Sequence, residues 1–301
     1  MQMNPIVKKD IRVQARSMRI CWGLFAYEAI MALVFFLAMF LFQQENVYSN
    51  TNIYSNIVML YPILAVTQII ILGVVVPIRT ASSISGEKER QTFDIMMTTS
   101  MTPFSIIAGK VMTAMIQGIF FVVAGMPVMA LAFVIGGMSW AYLFWFLAIA
   151  VLVSLFSASI GIFCSSVCKK SITAVIMSYG IYVIFFVVTA IPNMICNILG
   201  YTVTGNQVTM IFYLINPAGY LMEFFIWTMS GYSSVYEMLA FSSQGVKGSQ
   251  LSAAAVHYGW MALSSILFIL VSVFFLWIAA KRINPISKRK ARKLAMQNQS
   301  S

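Results

Sequence analysis

Six stretches of this 301-residue chain are long and apolar enough to cross a lipid bilayer, and this limits the fold before any motif is considered. They run from Ile20 to Phe42, Ser55 to Ile78, Phe104 to Ile135, Trp140 to Val167, Ser171 to Leu199 and Ala255 to Ala280. Each reaches the ~20 residues that carry a helix across ~30 Å of hydrocarbon. Charged residues make up 9% of the chain, against roughly a quarter of a soluble domain, which excludes a soluble enzyme or binding module. The predicted fold is an all-α integral membrane protein with six transmembrane helices, one domain over residues 1–301. Residues 1–19 form a cytoplasmic or interfacial helix, 20–280 the membrane domain and 281–301 a basic tail. The first span is longer than the ~7–15-residue apolar core of a cleavable signal and no A-x-A-like site follows it, so it is expected to stay as an anchor.

The formal net charge is +11, and its placement matters more than its size. With both termini in the cytoplasm, 18 of the 19 Lys and Arg fall inside: Lys8 to Arg19, Arg79 to Lys110, Lys169 and Lys170, and Lys281 to Lys293. Only Lys247 is outside. The positive-inside rule therefore predicts a multi-pass protein of the cell membrane with cytoplasmic termini, and no nucleic-acid partner is needed to explain the charge. At 100° per residue, Val7, Ile11, Ala15, Met18 and Trp22 share one arc, with Lys8, Arg12, Arg16 and Arg19 on the adjoining one. That pattern predicts an amphipathic helix over 5–22 on the inner membrane surface, its basic side toward anionic headgroups. The tail KRINPISKRKARKLAMQNQS reads as an orientation signal and lipid contact.

Pro62 and Pro77 in the second span and Pro127 in the third are expected to kink or unwind their helices. Ser154, Ser157, Ala158, Gly161, Cys164 and Ser165 form a small-residue stripe, suited to close packing within the bundle or at a subunit interface. Residues 208–231, VTMIFYLINPAGYLMEFFIWTMSG, contain two apolar runs broken by Asn216-Pro217 and Gly219. A full crossing there would put the basic tail outside, so parity predicts a pair of half-helices that dip in and return, or lie on the outer surface. This segment is the expected cap of any pathway, with Asn216, Pro217 and Glu223 as candidate gate residues, followed by a polar external loop over 232–254.

Catalytic constellations are missing. Gly109-Lys110 lacks the upstream glycine and the hydroxyl of a phosphate-binding loop, and no H-E-x-x-H occurs. Cys21, Cys164, Cys168 and Cys196 suggest small packing residues rather than a disulfide framework or metal site. The single histidine, His257, is expected at the outer interface. Ionisable groups within the membrane are functional candidates because a charge there costs at least ~2.5–3.5 kcal/mol. Glu28, two turns into the first span, is read as paired with an inner-leaflet arginine such as Arg79, as protonated, or as part of a pathway.

The remaining charge lies in GEKERQTFDIMMTTSMTPFSIIAGK, residues 86–110. Glu87 to Met97 is predicted helical, with Phe93, Met96 and Met97 on one face and Glu87, Lys88, Arg90, Gln91 and Asp94 spread over the others. Thr102 is a predicted N-cap with Pro103 at the first position of the next helix. A polar connector needs no such apolar patch. The stretch resembles the signature between the second and third membrane helices of permease subunits of type 2 ATP-binding-cassette (ABC) exporters. There an acidic cluster is followed by Thr, an apolar pair, a Thr-Pro segment and a closing Gly-Lys, matched by Glu87, Glu89, Thr92, Met96, Met97, Thr102, Pro103, Gly109 and Lys110. The opening NPIVKKDIRVQARSMR, the six spans and the membrane-dipping segment are also similar to that family. Two positions depart from it: Gln91 stands where Gly is frequent and Ser100 where Pro is.

The resemblance implies that the loop is a cytoplasmic coupling helix docking in a groove of a separate ABC-type ATPase. Phe93, Met96 and Met97 would fill the groove, while Glu87, Lys88, Glu89, Arg90 and Asp94 set register and on-rate. It implies further that ATP-Mg sits on that ATPase with no cofactor on this chain, and that two permease chains, identical or related, pair around the path. The alternative is an ion-gradient-driven carrier or channel in which the loop is an ordinary connector.

Overall fold

The computed structural model describes residues 7–8, 10, 12, 17–49, 58–93, 102–136, 139–198, 214–231, 233, 235–236 and 253–283, among which no strand occurs. Eight helices are formed: α1 (Met18–Ser49), α2 (Leu60–Glu89), α3 (Pro103–Ala124), α4 (Met126–Gly136), α5 (Trp140–Val167), α6 (Ser171–Ile198), α7 (Pro217–Ser230) and α8 (Ala253–Ile283). All but α4 and α7 contain a membrane-length apolar stretch, giving six candidate spans.

Helices α1 and α5 show two ways of meeting lipid. Among the described side chains of α1 the stripe Tyr27, Met31, Phe35 and Ala38 is buried, while Trp22, Phe25, Leu33, Phe36 and Phe40 are exposed and suit acyl chains. By contrast, α5 is the hub: it packs against α2, α3, α6 and α8 and is buried almost all round from Val153 to Ser166. Hydrocarbon is as apolar as leucine, so helix contacts here depend on close van der Waals fit and not on escape from water. The small-residue stripe supplies that fit inside the bundle, since all six of its members are buried. A Cβ on Gly161 would stand 2.9 Å from Thr80 Cβ and 3.2 Å from the Ala81 nitrogen. Gly161→Val is therefore expected to lower stability by about 1–3 kcal/mol through overpacking. Thermal unfolding of the purified chain would read this, and a Thr80→Ala second change should restore part of it.

Proline has three outcomes. Pro62 falls in the first turn of α2, where its missing N–H breaks no helical bond, so the expected kink is replaced by a helix start. Pro77 is carried within continuous α2. The run Phe104 to Ile135, expected as one span, is divided at Gly125 into α3 and α4, with Pro127 in the first turn of the second piece. Tyr27 of α1 fills the space beside Gly125, where a Cβ would collide with its hydroxyl. Facing it across the bundle, Tyr61 anchors the other end of the core, with edge-on rings of Phe133, Phe146 and Phe225 at 4.5, 6.1 and 5.9 Å.

Several boundaries differ from those expected. The amphipathic pattern over 5–22 is interrupted at Ser17, which is not helical; Met18 and Trp22 belong to α1 and are exposed. Of the preceding residues, Val7 is buried and Asp10 pairs with Lys110. Helix α2 starts five residues later than Ser55 and runs eleven beyond Ile78, because the hydroxyl-rich segment Thr80 to Ser85 packs against α5 and stays helical.

Candidate coupling site and the α7 latch

The charged segment does not open a separate helix at Glu87. Glu87, Lys88 and Glu89 form the last turn of α2, and the chain then reverses. Thr92 N–H donates to Glu87 O and Gln91 N–H to Lys88 O, the paired bonds of a Schellman motif, with Gln91 at the left-handed position (φ 57°). A left-handed residue explains why glycine suits this place, and a side chain there costs about 1 kcal/mol. Phe93 follows, half-buried beside Ile84, Ile107, Ile162 and Ile283, with the Lys88 ammonium 5.8 Å from its ring centre. Asp94, Met96 and Met97 lie outside the described residues.

Each charge in the last turn of α2 grips a different helix. Lys110 Nζ of α3 donates to Glu87 Oε1 at 2.8 Å and to Asp10 Oδ2 at 3.3 Å. Lys88 Nζ donates to the carbonyls of Ser165, Ser166 and Cys168 at 3.1, 2.6 and 3.1 Å, capping the C-terminus of α5. A cation on carbonyls left without helical partners is favoured by hydrogen bonding and by the helix dipole. Glu89 Oε2 accepts from Ser171 Oγ at 2.6 Å, at the first residue of α6. One turn earlier, the Ile84 and Ser85 N–H groups donate to Ser165 Oγ at 2.9 and 2.8 Å, so an α5 hydroxyl reaches into the α2 backbone. Thr102 caps α3 by accepting from Ser105 N–H, with Pro103 at its first position. Glu87 and Lys88 are thus half-buried among neighbouring helices, while Glu89 and Arg90 are exposed.

The Glu28–Arg79 pair is not formed. Arg79 Nη1 donates to Gln117 Oε1 of α3 at 3.0 Å, because α2 turns it toward α3. Glu28 is half-buried, and its Oε1 has no hydrogen-bond partner among the described residues.

Helix α7 is the described part of the expected re-entrant segment; residues 208–213 lie outside the description. With 14 residues, about 21 Å, it is too short to cross a bilayer. Asn216 and Pro217 start it: Asn216 Oδ1 accepts from Ala218 N–H at 2.8 Å, and its Nδ2 donates to Thr189 Oγ1 of α6 at 2.8 Å. Gly231, at φ 71°, ends it. Glu223 is 2% exposed and His257, in the first turns of α8, 3%. His257 is thus buried within the protein, against α7: its Nδ1 is 3.1 Å from Glu223 Oε1, and its ring stacks on Trp227 at 4.5 Å. Glu223 Oε1 also accepts from Ser233 Oγ at 2.6 Å, and Oε2 from Val235 N–H at 3.4 Å. Nothing in local sequence linked residues 34 apart; an unexplained histidine near an unexplained glutamate in an apolar chain was the available signal.

An apolar cavity of about 650 Å³ lies among α2, α5, α6 and α7, lined by residues such as Ile70, Val153, Tyr182, Leu221 and Phe225. A smaller polar cavity, about 270 Å³, lies between the basic ends of α2 and α3. No group of three or more metal-ligating side chains occurs among the described residues.

The geometry is that of a membrane bundle whose second span ends in an interhelical clasp. A comparison with curated proteins finds no match. Residues 4–277 match the family model described as ABC-2 family transporter protein, which spans nearly the whole chain. The chain therefore belongs to the ABC-2 transporter family and is a membrane permease of an ABC transporter.

Proposed function

We propose that this chain is the membrane-spanning subunit of an ATP-driven exporter, coupled through residues 86–103 to a separate ATPase that binds ATP-Mg. The observation that supports it is the clasp: consecutive residues Glu87, Lys88 and Glu89 reach α3, α5 and α6. A displacement of the loop after Glu89 would reach three membrane helices through bonds of 2.6–2.8 Å, without passing through flexible side chains in sequence. The exposed Arg90 and the following Asp94, Met96 and Met97 form the docking surface, while the three clasp residues transmit. The chain itself contributes no catalytic residue and no cofactor. Two permease chains, identical or related, enclose the path in the cell membrane with cytoplasmic termini. The apolar cavity beside α7 is one section of that path, and α7 with Asn216, Pro217 and Glu223 is its outer gate.

The test is co-purification with the ATPase subunit and transport into vesicles. Met96→Glu with Met97→Glu is expected to lose the ATPase while the permease retains its thermal stability, since burying a carboxylate in an apolar groove is strongly unfavourable. Normal binding and ATPase stimulation by this variant would sink the assignment. Uptake that follows an imposed ion gradient without ATP would replace it with the secondary-carrier reading.

A further inference from the structure

Arg79 is the residue that neither the clasp nor the latch absorbs. It lies on α2 ten residues before Glu89, half-buried, in the wall of the polar cavity between α2 and α3. Two cations line that cavity and they are treated differently. Lys110 meets two carboxylates, Glu87 and Asp10, whereas none of the ion pairs among the described residues involves Arg79. Its neighbour is the neutral Gln117 amide oxygen. An arginine fork presents five donors suited to two oxygens of one phosphate or carboxylate, and a charge at this depth is costly until it is matched.

The surrounding hydroxyls narrow the choice of anion. Ser82, Ser83 and Thr113 each donate to a backbone carbonyl of their own helix, so the wall presents acceptor lone pairs beside the guanidinium, as does Asp10, while the Thr80 hydroxyl faces Gly161 of α5. Bare phosphate would meet those acceptors unfavourably, while a headgroup with hydroxyl or ammonium donors beyond its phosphate would satisfy them. Beyond Arg79 the gap between α2 and α3 closes on Val75, Val76, Ala114, Gly118 and Phe121, leaving only about 10 Å³, so a ligand of this site enters by its headgroup alone.

We propose that Arg79 and the cavity between α2 and α3 bind the phosphodiester headgroup of a phospholipid whose acyl chains stay outside the cleft, in the bilayer. By the positive-inside rule this is a lipid of the cytoplasmic leaflet. The site adjoins the clasp through Lys110, so lipid occupancy and the position of α3 are linked. The proposal does not depend on the ATPase assignment.

The test uses the full chain purified in detergent and thermal unfolding with added dioctanoyl phosphatidylglycerol, dioctanoylglycerol or inorganic phosphate. Phosphatidylglycerol at a hundredfold excess over its Kd is expected to raise Tm by about 5–10 °C. Dioctanoylglycerol, which shares the chains and lacks the phosphate, should give less than half that shift, and so should inorganic phosphate. Arg79→Gln should lose most of the lipid shift and Arg79→Lys should keep part of it. Ser82→Trp, at an exposed position on the cavity wall, should reduce the shift without altering the charge. The idea is overturned if Arg79→Gln and Ser82→Trp both keep the wild-type shift, or if dioctanoylglycerol reproduces it. A phosphate shift equal to that of the lipid would overturn the lipid assignment in favour of a free-anion site.

Discussion

Replacing Lys88 by methionine is expected to cut ATP-dependent transport by at least tenfold while the permease still inserts and still binds its ATPase. The side chain is the donor for three carbonyls, Ser165 O, Ser166 O and Cys168 O, at the end of the most buried helix of the bundle. Hydrogen bonds to a charged group contribute ~1.5–3 kcal/mol each, so losing even one changes the equilibrium between clasped and unclasped states by tenfold or more. Methionine keeps the apolar stem and removes the ammonium, with its hydrogen bonds and its place over the Phe93 ring. Lys88→Arg should fall between the two, because a planar fork cannot direct its N–H groups at three carbonyls around one helix end. Transport by reconstituted vesicles, compared with ATPase co-purification on the same samples, reads the two effects separately. Unaltered transport in Lys88→Met would show that the clasp does not carry the movement.

The second large effect is expected at the α7 latch. Glu223→Leu removes the acceptor shared by Ser233 Oγ, His257 Nδ1 and Val235 N–H, all within a site almost closed to solvent. Breaking a buried pair from one side typically costs 3–5 kcal/mol because the other partner is stranded. The expected fall in Tm is roughly 10 °C. Glu223→Leu with His257→Leu should recover part of the loss, since the imidazole is no longer left without its acceptor, whereas Ser233 Oγ and Val235 N–H still are. A double-mutant cycle measures the coupling directly. If each single variant unfolds at the wild-type temperature, α7 is held by its aromatic contacts with Tyr61 and Phe268 and not by the latch.

The two sites differ in how far they could be read beforehand. The cap at Thr102 and Pro103, the small-residue stripe and the six spans are all legible, because each depends on residues a few positions apart obeying the period of one helix. The limit of α2 was not: periodicity suggested a separate helix from Glu87 to Met97, whereas α2 continues through Glu89, where its charges find partners on α3, α5 and α6. Arg79 shows the same limit in reverse. Glu28 looked like its counter-charge, yet the rotation of α2 turns it to Gln117.

What the sequence determined by itself was the solvent: apolar runs of bilayer length force helices. It also determined the family, through a signature short enough to be read within one loop. Tertiary structure decided which charges find partners within the chain. A charged side chain in a membrane protein takes its meaning from the group it meets, and those partners lie 23 residues away for Glu87, 34 for Glu223 and 82 for Glu89. Helical period carries no information over such separations, so only the packed bundle could show that the charges of the loop clasp it and that Arg79 meets the neutral Gln117.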